Sequence, residues 1–348
     1  MASDKSIVMG QQIMEYRKID EQMYTNVVQS HPQIVFPVEQ SPEWGRFQDH
    51  IPDRTYIGTY LINDGQKQLA TASLLHFKMK GYGYVWINNG PTLLTEKVSG
   101  HELASLVATL KQLVNREVNQ SSLFIRLSLP AKEGGVRPAY SKSLLERTTV
   151  VDLTQDFDTI LASMSQGARR GMRKAQKAGI TIREVPTHEA SSHFEPYHAI
   201  MRETAARDQF FAHPIATYTS MLGDLGEHVR FYAAFQNDTP IAWAIVTIYG
   251  RHGTYYYGAS NEAARQESAP YLLHIEIMRA LKDDGVVSYD FLGIGSPNYP
   301  GLQGVTEFKL RFGGEVKSYQ PTYDLPLKMG LYRAWKLAEK TKHRLRNH

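Results

Sequence analysis

One order of elements occurs twice along this 348-residue chain, and it constrains the fold more than any other feature. In the first half, residues 56–63 read as a strand that ends in an Asp64-Gly65 turn. Residues 69–77 and 83–88 follow as a strand pair joined around Lys80-Gly81. A helix is predicted over 101–118, with Leu103, Leu106, Val107 and Leu110 on one face. Residues 123–129 close the unit as a strand that Pro130 stops. In the second half, 230–235 is a strand with an Asn237-Asp238 turn, and 241–249 and 253–258 form the hairpin across Arg251-His252. A helix over 270–283 has Pro270 in its first turn, and 288–292 is the closing strand. Helical sequence precedes each unit, at 7–28 and 40–49, then at 157–178 and 190–225. Two such copies with little identity predict a duplicated fold of the α/β (α+β) class, with mixed sheets flanked by helices.

The length suits two domains of ordinary size. No low-complexity linker marks the join, which is placed near 152–158, so 1–155 is the expected first domain and 156–325 the second. The tail over 326–348 reads as one more amphipathic helix docked on the first domain. Leu331, Tyr332, Trp335 and Ala338 are available for packing, and Lys336, Lys340, Lys342, Arg344 and Arg346 stay wet.

The chain has no cysteine, which excludes disulfides, thiolate metal sites and a cysteine nucleophile. No run approaches the roughly 20 apolar residues of a membrane span. Residues 1–24 lack an apolar core of signal-peptide type and carry Asp4, Glu15, Asp20 and Glu21, so a cytoplasmic protein is expected. The formal net charge of +4 permits an anionic partner without requiring one.

The order strand, hairpin, helix, strand is similar to that of the GNAT acyltransferase fold, so two tandem GNAT-like domains are expected. That likeness alone says nothing about chemistry. A CoA-binding unit of this kind needs a glycine-rich turn before the helix, to hold a pyrophosphate on backbone N–H groups. The first half has Asn88-Asn89-Gly90-Pro91 at this place, and the second has Arg265-Gln266-Glu267-Ser268-Ala269-Pro270. Both disfavour CoA. Gly293-Ile294-Gly295 lacks the Gly-Lys-Ser/Thr of a nucleotide-binding loop. His188, His193 and His198 are spaced by five, which on one helix prevents convergence on a metal, and none is expected. No Gly-x-Ser-x-Gly elbow occurs.

The strongest electrostatic feature is a helical stretch on which Arg169, Arg170, Arg173, Lys174 and Lys177 share one arc. Ile160, Leu161, Met164, Ala168, Met172 and Ala175 share the other, and Gly167 is a candidate break. Charge runs usually only solvate a helix, but a face this concentrated also suits a phosphate backbone.

Several segments in order resemble the Fem (FemABX) peptidyltransferases. Gln40-Ser41-Pro42-Glu43-Trp44-Gly45 is similar to the family's QS-x-x-WG segment, and residues 169–179 (RRGMRKAQKAG) to its basic helix. Tyr256-Tyr257-Gly258-Ala259-Ser260 with Ala269-Pro270-Tyr271-Leu272-Leu273, then Tyr289-Asp290-Phe291-Leu292-Gly293-Ile294, then Phe308-Lys309 and Phe312-Gly313-Gly314, complete the series. The chain has no long heptad run between Arg169 and Tyr257, so it resembles the compact, FemX-like members without a coiled-coil arm.

The resemblance implies transfer of an aminoacyl group from aminoacyl-tRNA to the amine of a peptidoglycan precursor stem peptide. The acceptor would be UDP-MurNAc-pentapeptide or lipid II. It implies no cofactor, since aminoacyl-tRNA is a co-substrate carrying an activated ester. It implies catalytic roles for Lys309, near the reacting carbonyl, and for Phe308, a stacking surface for the terminal adenosine. Tyr257 matches a precursor-binding tyrosine. At two other precursor-binding positions this chain departs from the family: His213 stands for an arginine and Gln48 for a lysine. Arg46, Arg126 and Arg207 are candidate substitutes. Asp290 matches a family aspartate whose role is structural or catalytic. The basic residues Arg169, Arg170, Arg173, Lys174 and Lys177 would meet the tRNA, and the tail from Lys336 to Arg346 is a second candidate for tRNA or for an anionic membrane face bearing lipid II. Three other readings remain: the same donor with a secondary-metabolite acceptor, a CoA-dependent N-acyltransferase, and a binding protein without activity.

Overall fold

The computed structural model describes residues 7–8, 11–118, 121–140, 146–298 and 300–346. The side chains of Lys342, Arg344 and Arg346, assigned to the wet face of the tail, lie outside the described residues. The chain divides into two units, Met1–Ser143 with Gln320–His348, and Leu144–Tyr319.

In the first unit, the described residues form a mixed sheet. Its order is Glu15–Ile19, Arg54–Asp64, Lys67–Met79, Tyr82–Ile87, Phe124–Ser128, Thr322–Pro326, Arg137–Pro138. Neighbours are antiparallel except at one place. Tyr82–Ile87 and Phe124–Ser128 run parallel, with Val85 opposite Ile125 and Ile87 opposite Leu127. Parallel neighbours need a crossover, and the helix Gly100–Glu117 supplies it. Its Leu103, Leu106, Val107 and Leu110 are buried against Ile62, Leu74, Ile125 and Leu127.

The second unit repeats the plan. Its order is Thr181–Val185, Val229–Gln236, Thr239–Tyr249, His252–Ser260, Ser288–Asp290, Arg147–Asp152, Glu315–Ser318. The parallel pair is His252–Ser260 with Ser288–Asp290, and its crossover helix is Ala269–Asp283. On one face of the sheet this helix packs with Gln166–Lys177. A Cβ on Gly171 would stand 2.5 Å from the Tyr271 ring, so only glycine lets the helices approach this closely. On the other face, Phe194, Tyr197 and Tyr218 pack with Phe231 and Trp243 in an aromatic layer.

Each sheet borrows a strand from far along the chain, and this moves the boundaries from the expected 155 and 325. Arg147–Asp152 pairs with Ser288–Asp290 in the second sheet, and Thr322–Pro326 pairs with Phe124–Ser128 in the first. Local sequence patterns carry no trace of such pairings.

Three helical expectations also change. Over 7–28, the helix is confined to Glu21–Ser30 behind an Asp20 cap, and Glu15–Ile19 is a strand on Arg54–Asp64. The stretch 157–178 breaks at extended Met164 rather than at Gly167. Ser165 caps the second piece through the Ala168 N–H at 3.2 Å. The stretch 190–225 is Thr187–Ser192, Glu195–Asp208 and Ile215–Asp224. His188 and His198 therefore sit on different helices, and the one-helix spacing argument against a metal loses its premise.

Candidate active site

The parallel pairing of the second unit is short. It ends at Thr254 opposite Asp290, although the first strand runs on to Ser260. Beyond Asp290 the chain turns away through two left-handed residues, Leu292 at φ 52° and Gly293 at φ 32°. A leucine there is unfavourable, and neighbouring bonds hold it. The Leu292 N–H donates to Asp290 Oδ1 at 2.7 Å, Ile294 N–H to the Arg147 carbonyl at 2.8 Å, and Gly295 N–H to Thr306 Oγ1 at 2.7 Å. The turn directs the Leu292 and Gly293 carbonyls onto one donor, the Lys309 ammonium, which gives Gly293 a 2.8 Å hydrogen bond and Leu292 a shorter one.

Lys309 belongs to the helix Gln303–Leu310 and is 9% exposed. Its Nζ stands 5.7 Å from the centre of the Tyr255 ring. Burial lowers its pKa to about 8, partly offset by the attraction of Asp290. Asp290 moves the opposite way. Burial raises its pKa, against hydrogen bonds from Thr148 and the Leu292 N–H and the charge of Lys309. The result is a cation poised near neutrality in a dry, aromatic setting.

That setting includes residues the sequence reading passed over. His274 is buried and shares a 2.9 Å hydrogen bond with the Tyr289 hydroxyl. Burial, then the charge of Lys309, lowers its pKa to about 3, so it stays neutral. Its ring lies 4.4 Å from Tyr255, 5.1 Å from Phe291 and 5.7 Å from Phe308. One readable signal existed, because His274 interrupts an apolar run, Leu272-Leu273-His274-Ile275. Phe308 is half-buried, its ring 5.3 Å from Tyr271 and 5.2 Å from Phe312. The Arg311 guanidinium donates to the Tyr271 hydroxyl at 2.9 Å.

A bulge separates Tyr255 from Tyr257. Ile245 pairs with Tyr257 and Val246 with Tyr255, so Tyr256 is an extra residue on its strand. Residues two apart would normally share a face. Here Tyr255 meets His274 on one side, while Tyr257 meets Tyr218 at 5.3 Å and His213 at 5.7 Å on the other. Tyr257 and His213, far apart in sequence, are thus neighbours. A Cβ on Gly258 would stand 2.1 Å from the Tyr255 hydroxyl, so this glycine gives the ring its place.

The substitute cations are otherwise employed. Arg207 pairs with Asp208 at 2.9 Å through two nitrogens and donates to the Ser260 carbonyl at 2.8 Å. In the first unit, Arg126 is 9% exposed and paired with Asp324 at 2.8 Å, with Tyr332 donating to the same carboxylate at 3.0 Å. This correction has a plain cause: an arginine bound to a buried carboxylate is not available to a ligand. Arg46 pairs with Glu21 on the surface. Gln48 is buried and accepts a hydrogen bond from Arg54. On the basic helix, Arg170, Arg173 and Lys177 are exposed and Arg169 half-exposed, while Lys174 donates to the Gln266 carbonyl and lies 3.8 Å from Glu267.

A family model for an acetyltransferase (GNAT) domain matches residues 162–324. A solved structure of FemX superposes with a TM-score of 0.75 at 16% identity, over 93% of this chain and 100% of that one. L-PGS from Bacillus licheniformis follows with TM-score 0.54 and 11% identity, over 90% of this chain and 93% of that one. A tandem GNAT protein from the clavulanic acid biosynthesis pathway gives 0.51 and 12%, over 90% and 98%. No curated protein sequence matches. At these identities the likeness is one of fold. The chain is a protein of two GNAT-type units with the fold of FemX.

Proposed function

We propose that this protein transfers an aminoacyl group from aminoacyl-tRNA to the amine of a peptidoglycan precursor stem peptide, without a cofactor, in the cytoplasm. The observation that carries the reading is Lys309, a buried cation held by two carbonyls where the second sheet stops pairing. The amine attacks the ester carbonyl, a C–N bond forms, the C–O bond to the ribose breaks, and one proton passes from the amine to the departing oxygen. The ester is already activated, so no enzyme nucleophile is required, which accords with a chain lacking cysteine. The tetrahedral intermediate is an oxyanion, and a preorganised ammonium in a water-poor site lowers its cost. Phe308 gives the donor's terminal base an aromatic surface, and Tyr257 with His213 faces the acceptor. Arg170, Arg173 and Lys177 meet the tRNA backbone.

A second reading keeps the donor and moves the acceptor to an amine without a diphosphate, such as a secondary metabolite. It is favoured by the partners of Arg207, Arg126 and Arg46 within the chain, which hold these three arginines away from a phosphate ligand.

A mass-resolved assay with a pool of charged tRNAs, UDP-MurNAc-pentapeptide and lipid II tests both. A gain of one aminoacyl residue, abolished by RNase and by Lys309→Met, is the expected outcome. Folded protein that leaves both acceptors unmodified while the tRNA stays charged overturns the peptidoglycan reading. Turnover of an amine lacking phosphate would then support the second.

A further inference from the structure

The helix Met329–Arg346 docks on its own unit by one face and leaves the other uncovered. Tyr332 is buried, and Trp335 packs on Phe124 at 5.0 Å and on Tyr82 at 5.5 Å. At about 100° per residue, the opposite arc carries Leu337, Thr341, Ala334, Ala338 and Leu331 in angular order. Leu331 is 60% and Leu337 68% exposed, and both alanines are exposed. Arg333 and Lys340, exposed as well, border this arc on the Leu337 side. Two nearby lysines are employed elsewhere: Lys328 donates to Ser121 at 2.8 Å, and Lys336 lies 5.9 Å from the centre of the Tyr332 ring.

We infer that this outer face lies on an anionic membrane surface, with the two leucines inserted among the acyl chains. Exposed leucines on an otherwise cationic helix select the partner. A bilayer rewards both features, whereas an RNA backbone rewards only the charge. Beyond Lys336 the sequence to Arg346 adds Lys340, Lys342, Arg344 and Arg346 against one acid, Glu339, and this charge excess complements anionic headgroups. Among the described residues no helix is long and apolar enough to cross a membrane, so the contact is one of lying on the surface. Nothing in this inference depends on the transfer reaction.

The test is co-sedimentation of the full chain with phosphatidylcholine vesicles, with and without about one third phosphatidylglycerol, beside a binding titration with labelled tRNA. Binding is expected only to the anionic vesicles and to weaken with salt. Leu331→Gln with Leu337→Gln is expected to lower it about tenfold, and Arg333→Gln with Lys340→Gln by a similar factor. All four side chains are exposed, and unchanged thermal melting confirms that the variants fold. The inference is overturned by no sedimentation at low salt, or by binding that survives the leucine variant. It is also overturned if vesicles are ignored while tRNA binds and is lost with the arginine–lysine variant, which would make this a nucleic-acid face.

Discussion

The two units place the same elements at the same point of the fold and use that point differently. In the first, the parallel strands are sewn on beyond their pairing. Ser128 N–H reaches the Gly90 carbonyl at 2.7 Å, and the Gln40 carboxamide donates to Asn88 at 2.6 Å and accepts from Ser73 N–H at 3.0 Å. The crossover helix begins with a capping box in which Ser99 and Glu102 satisfy each other's backbone, and Lys67 joins Glu102 at 2.8 Å. In the second, pairing stops at Asp290, Lys309 takes the two carbonyls, and the crossover helix starts at Ser268 with φ 62° and no side-chain cap. The first copy ties the backbone at this point to its own side chains. The second has a buried ammonium at the corresponding place, and the proposed transfer is set there for that reason.

The comparison breaks most readily at Lys309. Lys309→Met is expected to cut turnover by roughly 10²–10³ while circular dichroism stays native. Full activity in the folded variant would remove the second unit from the reaction. Gln40→Ala should do the reverse. It leaves a buried N–H and carbonyl unsatisfied, costing about 1–3 kcal/mol in denaturant unfolding, with turnover per folded molecule retained.

A finer test reads the charge of Lys309. Activity that needs the ammonium falls as pH rises through about 8. Asp290 favours the charged form, so Asp290→Asn should move that fall roughly one pH unit lower in kcat. An unchanged profile would show that Asp290 is already neutral there. The smallest effect belongs to the first unit's cap. Lys67, then Ser99, lowers the Glu102 pKa from 4.5 to about 2. Its contribution is therefore complete above the unfolded value and is lost as pH falls toward 2. Glu102→Gln should lower stability by about 0.5–1 kcal/mol at pH 7 and flatten acid melting curves between pH 5 and 2.5.

One resemblance segment turned out to have a local structural job that its residue types announce. In Gln40-Ser41-Pro42-Glu43-Trp44-Gly45, Ser41 caps the helix Pro42–Asp49 through Trp44 N–H at 3.1 Å, Pro42 fills the first turn, and Trp44 packs on Phe47 at 5.0 Å. Gly45 leaves room for Tyr56, whose ring would lie 2.4 Å from a Cβ. Caps, first-turn prolines and turn residues act within a few positions, and a reader of residue types can see them.

Local chemistry also determined the repeated order of strands and helices, because the hydrophobic period of each element is written in it. The pairing of Tyr257 with His213 and the opposed faces of Tyr255 and Tyr257 came only from the tertiary structure. So did the exchange of Arg147–Asp152 and Thr322–Pro326 into sheets distant in sequence, the commitment of Arg126 to Asp324, and the burial that moves Lys309 toward neutrality. The physical reason is common to all of them. Burial, bulge register and ion pairing are properties of groups brought together across tens to hundreds of residues, and their energies arise only when both partners have left water.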